Sequence, residues 1–176
     1  EAVFAANISD KSAFLYDYSL GGGASMDLGC YPVHWLRTLS GEEPEVLRAA
    51  AVENGDGVDL ALDAELLFPS GFRATVRCSM LAPSGVVRYV VIYGTKGFLR
   101  VDNPLSPQSG HRLTVEFTDG RHRDETFTLR STYAFQLEAF RDAVENSRQT
   151  PTGGDDAIAN MVTIDSLYRA AGLPLR

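Results

Sequence analysis

Between Val58 and Met80 the chain alternates with a period of two on either side of a turn: VDLALDAELLF, then PSG, then FRATVRCSM. Successive side chains of a strand point to opposite faces. Val58, Leu60, Leu62, Ala64, Leu66 and Phe68 therefore share one face, and Phe72, Ala74, Val76, Cys78 and Met80 share the matching face of the next strand. A hairpin closed over residues 69–71 sets Phe68 opposite Phe72. Counting back from that pair puts Asp63 opposite Arg77 and Arg73 diagonal to Glu65. A slip of one residue would turn every apolar side chain outward, so the register is tightly constrained. The segment demands a sheet with one buried face and one face of paired opposite charges.

Other strand signals extend that sheet. VVRYVVIYGTKGFLRVD folds back about GTKG, RLTVEFTDGRHRDETFTL folds back about DG, and EAVFAANI reads as a strand already under way. The total is about six to eight strands, mostly joined as antiparallel neighbours. Between the opening strand and a triple glycine, SDKSAFLYDYSL reads as a loop rich in aromatic residues. Two helices close the chain. STYAFQLEAFRDAVENS carries Tyr133, Leu137, Phe140 and Val144 on one stripe, the pattern of an amphipathic helix lying on a sheet. GGDDAIANMVTIDSLYRAAG has acidic residues where the helix dipole favours them, with Gly172 and Pro174 as its stop. Helix, strands, then helices, without regular βα alternation, gives an α+β class.

At 176 residues, 44% apolar and 22% charged, the chain is long enough for one domain spanning residues 1–176 and too hydrophobic for disorder. It has no apolar run near the length of a membrane span. A net charge of −7 without a basic stripe argues against nucleic acid. Cys30 and Cys78 sit inside apolar patterns, as buried free thiols of a cytoplasmic protein do. The opening residues lack an initiator methionine and a basic signal-peptide region, so a piece of a longer protein is expected.

The chemistry concentrates in GGGASMDLGCYPVHWLR, residues 21–37, the start of a helix expected over about residues 24–39. Asp27, Tyr31 and His34 fall at i, i+4 and i+7, within one narrow helical sector. Met26, Cys30 and Val33 lie on one side of it. Leu28, Pro32, Trp35, Leu36 and Leu39 lie on the other. A helix apolar on two sides is mostly buried, and its polar sector is expected to face a cleft. Pro32 removes one backbone donor, so a local kink is expected there. The glycines suit either tight packing or a ligand phosphate, although no G-x-G-x-x-G and no P-loop Lys-Ser or Lys-Thr is present. A tyrosine hydroxyl near a cation can move a proton, and a carboxylate one turn away can orient it or hold a substrate hydroxyl. A buried hydrogen-bonded Asp–Tyr pair is the structural alternative. His34 has no second ligand at metal spacing, so a metal site is not expected. His111, His122 and the serines and cysteines carry no nucleophile signature.

These residues resemble the opening of the C-terminal domain of the Gfo/Idh/MocA oxidoreductases: glycines, a short apolar spacer, then D-x-G-x-Y/H leading into WLR. YGTKGFLRVD and the closing stretch from Tyr133 to Leu173 resemble that family too, so the likeness spans essentially the whole chain. It implies an open, predominantly antiparallel sheet of the glyceraldehyde-3-phosphate-dehydrogenase-like kind, with helices on one face. It also implies that the other sheet face serves subunit contact in a homodimer or higher homo-oligomer. The resemblance implies NAD or NADP bound mainly by a preceding Rossmann domain, absent from these residues, and a carbohydrate, polyol or alcohol substrate. By itself this chain is expected to be inactive and to bind no cofactor. At Tyr31 the chain resembles the branch containing glucose-fructose oxidoreductase, xylose dehydrogenase and dimeric dihydrodiol dehydrogenase, whereas many polyol dehydrogenases of the family carry histidine at that position. That match implies Tyr31 as general acid/base, Asp27 as its catalytic neighbour, and His34 as a substrate contact. Tyr133 and Gln136 are further substrate-side candidates, with packing or capping an equally good reading. A non-catalytic ligand-binding or dimerisation module of the same fold is the competing function.

Overall fold

The alternating segment folds as a hairpin in the expected register. In the computed structural model, which describes residues 1–11 and 14–176, Leu66 pairs with Ala74 and Asp63 with Arg77. Residues 12 and 13 of the expected aromatic loop lie outside the described residues. The chain forms two compact units, Glu1–Arg88 with Ala159–Arg176, and Tyr89–Ile158. Its strands are β1 (Ala2–Asn7), β2 (Glu45–Glu53), β3 (Asp59–Leu67), β4 (Arg73–Ser79), β5 (Leu81–Gly94), β6 (Gly97–Asp102), β7 (Arg112–Phe117) and β8 (His122–Glu125). The helices are α1 (Cys30–Ser40), α2 (Thr132–Asn146) and α3 (Gly154–Ala170). The architecture is α+β, with an open and predominantly antiparallel sheet.

In the first unit the strand order is β2-β3-β4-β1-β5. β1 runs parallel to β4, with Phe4 beside Cys78, while β2–β3 and β3–β4 are antiparallel. β2 is a strand that the sequence patterns above do not single out. Phe68 N–H donates to Phe72 O at 2.9 Å, and their rings pack at 5.1 Å. Arg77 Nε meets Asp63 at 2.7 Å on the charged face, and Glu65 takes Arg48 of β2 at 2.6 Å. The buried face supplies Leu62, Leu66, Phe68, Val76 and Met80; Val33 and Leu36 of α1 and Ile164 and Leu167 of α3 are also buried. Each such side chain stabilises the fold by about 1.5–3 kcal/mol relative to leaving it in water.

The helix expected over residues 24–39 is in two parts. Ser25–Gly29 is a single widened turn of π-helix, and α1 follows directly and ends on Gly41 in the left-handed region. The irregularity expected at Pro32 thus lies just upstream of it. Proline has no N–H for residue 28 and its ring presses on that carbonyl, so a wider turn before it accommodates the defect. Gly29 lets this helix approach β4 closely: a Cβ there would sit 3.0 Å from Cys78 Sγ.

The second unit orders its strands β5-β6-β7-β8. Gly94 pairs with Gly97 at one hairpin, and Phe117 N–H donates to Arg121 O at 2.9 Å in the other. The Ser131 side chain caps α2 through Tyr133 N–H. The expectation that α2 buries its stripe on a sheet is not met, because α2 buries none of its residues and Tyr133, Leu137, Phe140 and Val144 are all exposed. Periodicity creates the stripe, but burial needs a surface to cover it. Among the described residues no helix is long and apolar enough to cross a membrane.

Candidate active site

The start of the helix is set by close backbone packing. Gly23 has φ +140°, and a Cβ there would lie 2.2 Å from Asp59 Oδ1; one on Gly22 would lie 2.5 Å from the Leu15 carbonyl oxygen. Gly22 and Gly23 thus serve close packing, while a Cβ on Gly21 would meet nothing within 4 Å. Asp59, fully buried, accepts the Ser25 N–H on Oδ2 at 2.7 Å and the Tyr168 hydroxyl on Oδ1 at 3.0 Å. Burial and the neighbouring Asp59 carboxylate push the Tyr168 hydroxyl well above its ordinary pKa. Arg176 Nη2 faces Asp59 Oδ1 at 3.5 Å.

From that anchored start the π turn carries Asp27, and α1 carries Tyr31 and His34. Tyr31 is 36% exposed, with its ring 5.5 Å from Phe4 of β1 and 6.5 Å from Trp35 one turn on. The Arg88 guanidinium lies over the Phe4 ring, 5.7 Å from its centroid. Asp27 is half-buried, and desolvation raises its carboxyl above the usual aspartate range. A carboxyl shifted this way holds or accepts a proton more readily than a surface aspartate. His34 is half-buried, with Nε2 3.4 Å from the Thr38 hydroxyl. Burial first, then the Asp27 charge, pushes the Cys30 thiol up to about 11, and burial pushes Cys78 to about 12. Both cysteines are free thiols, and such thiols are poor nucleophiles at neutral pH.

The helix is tied from below. Asn160 of α3 donates to the Cys30 carbonyl at 3.1 Å and accepts from Arg37 Nη1 at 3.3 Å, while Arg37 pairs with Glu43 at 2.6 Å. Asp27 thus lies on the π turn and Tyr31 and His34 on the braced helix that follows it, all in the first unit. Tyr133 and Gln136 stand on α2 in the second unit, both exposed. Among the described residues no three His, Cys, Asp or Glu side chains group as a metal site. Sequence reasoning did not pick out Phe4, Arg88, Asp59 or Arg176. The lone charge in VVRYVV was a usable signal for Arg88, whereas nothing local marked the other three.

The open, predominantly antiparallel sheet with its helices is the architecture of an α+β domain. The GFO/IDH/MocA C-terminal domain profile matches residues 2–100, and the chain belongs to that family. D-xylose 1-dehydrogenase (NADP(+)) 2 of Haloferax volcanii is 33% identical over 158 residues, covering 88% of this chain and 47% of the relative. Trans-1,2-dihydrobenzene-1,2-diol dehydrogenase of Danio rerio is 37% identical over 83 residues, 47% of this chain and 24% of the relative. The crystal structure of aldose-aldose oxidoreductase from Caulobacter crescentus, complexed with glycerol, superposes with a TM-score of 0.84 at 26% identity, covering 97% of this chain and 52% of that one. The chain spans about half the length of the xylose dehydrogenase and of the aldose-aldose oxidoreductase.

Proposed function

We propose that these residues form, as one domain, the substrate-side part of an NAD(P)-dependent oxidoreductase acting on a carbinol of a sugar, polyol or related alcohol, with Tyr31 as general acid/base. The observation that carries this reading is Tyr31 itself: a partly open phenol on a braced helix, four residues after a desolvated carboxyl. The nicotinamide, when bound, supplies the hydride acceptor or donor. The grip on it is assigned to a preceding dinucleotide-binding domain, with Gly22 and Gly23 here serving close packing.

The chain's own residues handle the oxygen. Tyr31 gives or takes the proton at the reacting hydroxyl, while Phe4 and Trp35 hold its ring in place. Asp27 bonds a neighbouring substrate hydroxyl, and His34, one turn further on, contacts the same substrate. Proton transfer from a positioned side chain is worth about a hundred- to ten-thousandfold in rate. The sugar dehydrogenase and aldose oxidoreductase relatives support the carbohydrate assignment. Subunit contact through the sheet and a reducing compartment, which the two free thiols favour, complete the reading.

The test is Tyr31→Phe in the full-length enzyme. Turnover should fall by about a hundredfold or more with substrate affinity largely kept. A loss under about threefold would remove Tyr31 from the chemistry.

A further inference from the structure

Beneath the glycines two opposite charges are withdrawn from water: Asp59 is 0% exposed and the Arg176 side chain 4%. Their bonds converge on the few residues that precede Asp27. Asp59 Oδ2 holds the Ser25 N–H at 2.7 Å, and Arg176 Nε donates to the Gly22 carbonyl at 3.1 Å. Between those two anchored residues lies Gly23, with no room for a side chain. Arg176 Nη2 also donates to the Gly57 carbonyl at 2.9 Å, which ties the same guanidinium to the approach to β3. Its plane is held between the rings of Tyr18, at 4.5 Å, and Tyr168, at 4.8 Å. The Tyr18 hydroxyl in turn donates to the Leu175 carbonyl at 2.7 Å.

Apolar residues of similar volume often serve stability as well as a buried ion pair does. Arg176 is held here although its Nη1 is buried without a hydrogen-bond partner. Stability is therefore a poor reason for this arrangement, and geometry is a better one. We propose that Asp59 and Arg176 are positioning residues, whose paired side chains fix the backbone from Gly22 to Ser25 and thereby aim Asp27 and Tyr31 at substrate. The proposal rests on the acid/base reading of Tyr31. Its mechanism is direct: the π turn begins at the anchored Ser25, so a shift there is carried into Asp27 two residues later and Tyr31 six residues later. A displacement of a catalytic group by about 1 Å can cost about a hundredfold in rate.

The test uses the full-length enzyme with D-xylose and NADP+ as the probe pair, and amide exchange as a readout free of turnover. Asp59→Ala should lower kcat by about tenfold to a hundredfold, measured well below its own melting midpoint, with KM within about threefold. Asp59→Asn, which keeps an acceptor for the Ser25 N–H, should restore most of the loss. Exchange over residues 23–29 should rise about tenfold in Asp59→Ala and return in Asp59→Asn, with the interior of β4 unchanged. If Asp59→Ala does not fold, Asp59→Asn/Arg176→Met leaves no lone buried charge and should show the kcat loss through the missing hold on Gly22. A folded Asp59→Ala or double variant with wild-type kcat, or with unchanged exchange over residues 23–29, overturns the proposal. Tyr31→Phe run alongside separates the two ideas. Wild-type turnover in Tyr31→Phe counts against the acid/base reading, and exchange then decides the anchor alone.

Discussion

Asp27 shows what a desolvated carboxyl costs its own fold. Half-buried on the π turn, its carboxyl is raised by desolvation, so the folded chain binds that proton more tightly than the unfolded chain does. Between the two pKa values the native state carries more proton, and stability falls as pH rises through that window. The penalty is absent at pH below the ordinary aspartate range and complete above the raised value. Asp27→Asn should therefore melt higher than the parent at neutral pH, and the gain should vanish in melts below about pH 3. In the full-length enzyme the same variant should lose turnover, the usual conflict between a site's chemistry and its stability. A variant that melts lower than the parent at every pH would make the carboxylate a structural bond. The placing of Tyr31 and His34 on one helix was legible because a helix repeats simply, whereas the π turn that carries Asp27 was not. Asp59 was not, because the strand's alternation puts it on the charged face. A register shift, with Val52 opposite Ala61 but Glu53 opposite Asp59, inserts a bulge that can re-aim it, and Asp59 is buried.

The helix and its sheet meet closely at Gly29, where close packing and helix propensity oppose each other. Alanine would favour the helical conformation by about 1 kcal/mol. Its methyl, however, would arrive 3.0 Å from Cys78 Sγ, which is buried and already 3.7 Å from the Ser25 hydroxyl. With neighbours on both sides the sulfur has little freedom to yield, so overpacking wins. Gly29→Ala should destabilise the chain by about 1–3 kcal/mol in denaturant unfolding. Cys78→Ala removes the obstructing atom, so the double variant should be more stable than the sum of the two single changes allows. Simple additivity would show that the helix moves away as a body instead. The hairpin of β3 and β4 could be read to the residue from alternation, down to Asp63 opposite Arg77. The parallel β1–β4 pair and the π turn could not, because they depend on contacts remote in sequence.

Across the whole molecule, burial is unevenly shared. β3 and β4 of the first unit bury Leu62, Leu66, Val76 and Cys78 to within 2% exposure, whereas α2 of the second unit leaves Leu137 68% and Val144 65% exposed. The apolar stripe of α2 was readable from its sequence, but its exposure among the described residues was not, since periodicity reports only the helix's own half of a contact. A helix of 15 residues stands near the length at which an unpacked helix is marginal in water. Its ion pairs, Arg130 with Glu138 and Arg148 with Asp142, lie in solvent, where such pairs add little. Local opening should therefore govern α2 in the 176-residue chain, while the β3–β4 ladder opens only when the first unit unfolds. Amide exchange read by mass spectrometry should show α2 exchanging orders of magnitude faster than β3, at a rate insensitive to low denaturant. Exchange from β3 should quicken steeply with denaturant. Equal protection of α2 and β3 in this chain would mean that the stripe is covered in solution, and that the stability of α2 comes from packing rather than from its own hydrogen bonds.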